Sequence, residues 1–113
     1  MSLNVQNISE YSDRLSFTLL SGTRKFPKVG PFGDDHQANL VVAFRSLFDG
    51  LPIVERQLKD EAKLARVKEL LENSLKAYQA GDKVAGGSLL NEIQDIVAPN
   101  RYKEYEQRKG VPG

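Results

Sequence analysis

Residues 77–83, Ala-Tyr-Gln-Ala-Gly-Asp-Lys, set a glycine and a capping acid between two stretches with apolar residues at helical spacing. Gly81 suits the left-handed residue that ends a helix, and Asp82 offers a side-chain oxygen to the first free amides of the next. So short a break sends the second helix back beside the first, so the second half of the chain reads as an antiparallel helical hairpin. The returning arm, 83–98, carries Leu89, Leu90, Ile93, Ile96 and Val97 in an a/d-like pattern, and Pro99 closes it. The outgoing arm, 53–79, has an apolar stripe through Val54, Leu58, Glu61 or Ala62, Ala65, Leu64, Val67, Leu71, Leu75 and Tyr78, opposite a face of Lys, Arg and Glu. Glu55–Lys59 and Glu72–Lys76 are i,i+4 pairs in the better orientation. This arm is either one helix of about seven turns or two helices bent near Asp60.

Gly86-Gly87 interrupts the returning arm early, at a cost of about 1–2 kcal/mol against alanine. Either another part of the hairpin approaches closely there, or the helix begins only at Ser88; close approach is the preferred reading. The turn Ala77-Tyr78-Gln79-Ala80-Gly81-Asp82 resembles that of tetratricopeptide hairpins, in which a small-x-x-Gly-Asp turn joins two helices. The likeness covers one turn, and no second copy at a fixed period follows, so it reads as shared hairpin chemistry and not as family membership.

Upstream, Asp34 or Asp35 can cap a helix running to about Asp49, with Gly50 as its stop and Pro52 suited to the first turn of the next helix. Leu40, Phe44, Leu47 and Phe48 make one face, and Val41 and Val42 widen it, which is the pattern of a central, deeply buried helix. Residues 9–20 fit two patterns. Ile8, Tyr11, Leu15 and Leu19 fall at helical spacing between a Ser9 cap and a Gly22 stop, while Leu15, Phe17 and Leu19 alternate as in a strand. Helix is preferred, because no second strand of comparable quality follows. Between these segments lies a long loop, 22–33, with three glycines and two prolines in twelve residues and with Phe26, Val29 and Phe32 as apolar anchors. Asn100 can cap a short final helix, 101–109, bearing Tyr102 and Tyr105. Residues 1–8 and 110–113 read as loose ends of a single domain spanning 1–113. The expected fold is all-α: a bundle of four to five helices around the 40–48 segment, with the 53–79 and 83–98 hairpin and the 22–33 loop.

Composition narrows the function classes. The chain has 113 residues and no cysteine, so disulfides, thiolate metal sites and cysteine nucleophiles are excluded, and a cytoplasmic setting is the expectation. Residues 1–10 do not read as a signal peptide, and the longest apolar run, 40–44, is far short of the roughly 20 residues of a membrane span. Net charge is +1 overall, with mildly basic ends and a mildly acidic middle, a weaker imbalance than a nucleic-acid-binding chain usually carries.

Chemistry-bearing patterns are sparse. Asp34-Asp35-His36 holds the single histidine, but neighbouring residues rarely chelate one ion together, and the cluster reads as a capped helix start. No serine sits in a Gly-x-Ser-x-Gly turn, no Walker loop is present, and Gly30-x-x-Gly33 is too short for a dinucleotide fingerprint. The carboxylates of Asp60, Glu61, Glu69 and Glu72 are interleaved with lysines as on a solvated face. No catalytic, cofactor-binding or metal-binding residue is therefore assigned. The segment Arg24-Lys25-Phe26-Pro27-Lys28, with Phe32, and the tail bearing Tyr102 and Tyr105 mix cations and aromatics as partner-binding surfaces do.

The expectation is a non-enzymatic protein-interaction domain that docks on or occludes another protein, such as a bacterial immunity protein, antitoxin or regulatory adaptor, with a homodimer as a further option. The alternative is weak nucleic-acid binding by the 24–28 loop and the basic tail. A small enzyme whose carboxylates converge only in three dimensions is a third.

Overall fold

A computed structural model of the protein describes residues 7–28 and 30–98. Among the described residues five helices follow one another: α1 (Ile8–Thr23), α2 (His36–Asp49), α3 (Leu51–Leu58), α4 (Glu61–Gln79) and α5 (Lys83–Val97). The fold is all-α, as the patterning requires. Four helix starts are capped alike. The side chains of Asn7, Asp35, Asp60 and Asp82 each accept the backbone N–H three residues on, at 2.9–3.1 Å. Each such cap contributes about 1 kcal/mol.

The long helices α1, α2, α4 and α5 form a ring in which α1 packs on α2 and α5, and α4 packs on the same two. The contacts fix their directions. Tyr11 donates its hydroxyl to the Leu47 carbonyl at 2.9 Å, and a β-carbon on Gly22 would touch Leu40, so α1 and α2 are antiparallel. Ser12 lies against Gln94, while Gly22 and Gly86 face the same ring of Tyr78, so α1 and α5 are antiparallel too. The result is an up-down-up-down bundle. Its core is Tyr11, Leu15, Leu40, Ala43, Phe44, Leu47, Val54, Val67, Leu70, Leu71, Leu90 and Ile93, all without solvent exposure. The short helix α3 closes one end, with contacts to all four long helices.

Of the two options for the outgoing arm, two helices meeting near Asp60 is the one that forms: Lys59 takes a left-handed conformation (φ 51°, ψ 38°) and Asp60 caps α4, so the hairpin proper is Glu61–Gln79 against Lys83–Val97. Other expectations are corrected. Lys59 leaves the helix that the expected i,i+4 pair with Glu55 needs. Ala62 and Ala65, read as part of the stripe, are exposed, because the stripe restarts in a new phase after the break. The preferred helical reading of 9–20 holds, but α1 is capped by Asn7 and not Ser9, and it continues through Gly22 to Thr23. α2 is one corner of a ring and not a central helix; a ring of four has no centre, and Val41 is accordingly exposed.

The Gly81 turn forms as read. Asp82 N–H reaches the Ala77 carbonyl at 2.8 Å and Gly81 N–H that of Tyr78 at 3.1 Å, with Gly81 at φ +86°. These are the paired bonds of a Schellman ending. α5 begins at Lys83, so Gly86 and Gly87 are helical and buried. Their purpose is close approach. A β-carbon on Gly86 would lie 2.6 Å from Cδ2 of Tyr78, and the Ser74 hydroxyl donates to the Gly86 carbonyl at 2.7 Å. Tyr78 therefore lies in a slot between Gly86 on one side and Gly22 on the other.

Candidate functional site

The loop between α1 and α2 is tied down at several points. Phe26 and Phe32 stack with centroids 5.0 Å apart, and Phe17 of α1 meets them at 6.0 and 5.5 Å. Such pairs contribute roughly 0.5–1.5 kcal/mol each beyond their buried area. Phe26 is 2% exposed and Phe32 5%, so both rings belong to the core and neither is offered to a partner. The sequence reading that set them on a binding surface is corrected here; an apolar ring in a loop touching two helices is worth more buried than wet. Asn39 fastens the loop from α2, donating to the Gly33 carbonyl at 2.9 Å and accepting Gly33 N–H at 3.0 Å. His36 is half-buried at the capped start of α2, its ring 5.5 Å from that of Phe26.

The loop's cations stay outside. Arg24 and Lys25 are exposed. Lys28 is also exposed, but its ammonium lies 2.6 Å from Asp34, which neutralises it locally. Tyr102 and Tyr105 lie outside the described residues. The structure thus brings Arg24, Lys25 and Lys28 to one end of the bundle and removes Phe26 and Phe32 from its surface.

Two residues missed in the sequence reading join them. Leu20 and Val84 are exposed by 61% and 85%. Leu20 stands one helical turn before Arg24, whose N–H bonds the Leu20 carbonyl at 3.1 Å. Val84 opens α5 at the same end. The signal was present: Leu20 falls off the Tyr11–Leu15–Leu19 face, and Val84 falls off the Leu89–Val97 stripe, so a helical projection leaves both outside.

At the opposite end, Glu55, Arg56, Lys59, Asp60, Glu61 and Leu64 line an open groove of about 660 Å³. Its charges are mixed, and Asp60 is engaged as a helix cap. Among the described residues, no three of His, Cys, Asp and Glu gather closely enough to hold a metal ion, and no helix is long and apolar enough to cross a membrane. Comparison with family models, with curated proteins and with solved structures found no match.

Proposed function

We propose that this is a non-enzymatic protein-interaction domain, which acts by docking on a partner protein in the manner of an immunity protein, antitoxin or regulatory adaptor. One observation carries the reading. The α1–α2 loop is held by its own buried phenylalanines and by Asn39, yet it presents Arg24 and Lys25 to solvent beside the exposed Leu20. A surface already ordered loses little entropy on binding, which is what favours a recognition loop. The 24–28 loop has less to offer a nucleic acid, because base stacking needs an open aromatic face and its one ring, Phe26, is 2% exposed.

The test is affinity capture from the lysate of the native cell with the tagged full chain. Retention of a stoichiometric protein partner is expected, and Arg24→Glu combined with Lys25→Glu is expected to cut that retention by about tenfold, since close charge reversals at an interface cost about 1 kcal/mol or more. A monomer that retains no partner overturns the reading.

A further inference from the structure

We infer that the corner between α3 and α4 is a hinge that opens into one continuous helix, so that α4 and α5 change places with those of a second copy of this chain and a swapped dimer forms. This self-association is independent of the partner proposed above.

The corner is short, and both of its flanks are already helical. Lys59 N–H bonds the Glu55 carbonyl at 3.0 Å, and Leu64 N–H bonds the Asp60 carbonyl at 3.0 Å. Only Lys59 (φ 51°, ψ 38°) and Asp60 (φ −145°, ψ 109°) lie between the two helices. Turning these two residues joins α3 to α4, and the amides of 60–63 then gain the carbonyls of 56–59. The sequence permits it, since residues 53–80 hold no glycine and no proline. Lys59 leaves the left-handed region, where its β-carbon crowds the backbone, and regains its i,i+4 place opposite Glu55. Little holds the corner shut. Glu55, Arg56, Lys59, Asp60 and Glu61 are exposed, and they border the open groove of about 660 Å³ and not a packed core. The bend is favoured by the Asp60 cap on Lys63 N–H at 3.1 Å, and by the like charge of Lys63 that Lys59 would meet in the straight helix.

The partner follows from what opening uncovers. Straightening carries α4 and α5 off the bundle and strips the cover from Val67, Leu70, Leu71, Tyr78, Leu90 and Ile93, none more than 2% exposed in the closed chain. Leaving that face wet is costly. The surface shaped to it is the one it left. Ser12 and Ser16 match Gln94, the Leu19 carbonyl accepts the Tyr78 hydroxyl, and Gly22 makes room for the Tyr78 ring. A second opened copy offers that same surface, so the contacts of α1 and α2 with α4 and α5 are remade between chains. The swapped dimer then differs from two monomers in its two hinges and in the entropy of association, and protein concentration decides between them. An unrelated protein would have to reproduce those contacts by chance.

The experiment unfolds the full chain in urea, refolds it at low and at high concentration, and reads the mass by light scattering. A dimer that grows with the refolding concentration is expected. Lys59→Gly, which eases the bend, should weaken that dimer at least about tenfold. Lys59→Ala with Asp60→Ala, which removes the cap and favours the straight helix, should strengthen it at least about tenfold. Two chains, one carrying Ser16→Cys and the other Gln94→Cys, show whether the dimer is swapped. The chain has no cysteine of its own, so a short bifunctional thiol reagent joins these positions alone. Cross-linking between chains is expected when the two are refolded together, and not when folded monomers are mixed. A wild type that refolds only to monomer at every concentration, equal dimerisation of wild type and Lys59→Gly, or equal cross-linking from mixed folded monomers overturns the inference. If the double variant fails to fold, wild type against Lys59→Gly still decides. None of these outcomes bears on capture of a separate partner from lysate.

Discussion

Gly86 carries more of the architecture than its size suggests. A methyl group there would sit 2.6 Å from Cδ2 and 2.9 Å from Cγ of Tyr78, close to the anchored end of the ring and not at its free tip. Alanine gains about 1 kcal/mol of helix propensity over glycine, but overpacking a closed core costs about 1–3 kcal/mol. Gly86→Ala is expected to lower stability by about 1 kcal/mol in urea denaturation. Gly33→Ala, where a β-carbon meets nothing within 4 Å, should be neutral or slightly stabilising. Tyr11 is the second residue with a measurable signature. Burial disfavours its phenolate and pushes its pKa well above the ordinary 10.0. In the unfolded chain that phenol ionises near its ordinary value, so the folded state is held back from a proton loss that the unfolded state makes freely. Stability from this group is complete below pH 10.0 and declines as pH rises beyond it. Tyr11→Phe removes the bond to Leu47 and should cost about 1–2 kcal/mol at pH 7. The gap between variant and wild type should then narrow as pH climbs past 10.0, followed by denaturation at stepped pH.

At the scale of elements, two of the caps and the hairpin turn were legible, because each rests on local chemistry. Asp35 and Asp82 cap where a capping residue precedes a periodic run, and Gly81 takes the positive φ that its place demands, whereas Asp60 caps where only a bend was expected and Asn7 caps α1 in place of Ser9. The break between α3 and α4 was legible only as one of two options. The expected stripe can be drawn across it through Ala62 and Ala65 although the buried face restarts in a new phase, and nothing about Lys59 announces a left-handed residue. That conformation costs a side-chain-bearing residue about 1 kcal/mol. Lys59→Gly should therefore raise stability by up to about 1 kcal/mol, despite the entropy glycine gains in the unfolded chain. A fall in the urea midpoint would mean that the lysine side chain itself steadies the corner. The run of α1 through Gly22 was misread for the opposite reason. A glycine ends a helix when nothing else holds it, and here the ring of Tyr78, far off in sequence, packs against it.

Across the whole molecule, what the sequence withheld was orientation. The composition of the 24–33 loop is the same whether its phenylalanines face inward or outward. Only the nearness of Phe17 and the Asn39 clasp decide it, and both are contacts between separate segments. Likewise the apolar breadth of α2 is equally compatible with a central helix and with a corner of a ring. Leu20 and Val84 became noticeable only once the antiparallel packing of α1 on α5 brought both to the loop end of the bundle. The slot that holds Tyr78 has a dynamic consequence. Its ring lies between Gly22 and Gly86, and its hydroxyl donates to the Leu19 carbonyl at 3.4 Å. An aromatic ring sweeps out extra volume when it turns over, and that volume exists here only while α1 and α5 stand apart. Tyr78 should therefore flip slowly, giving separate proton signals for its two edges at low temperature. The temperature at which those signals merge would then clock the breathing of the bundle.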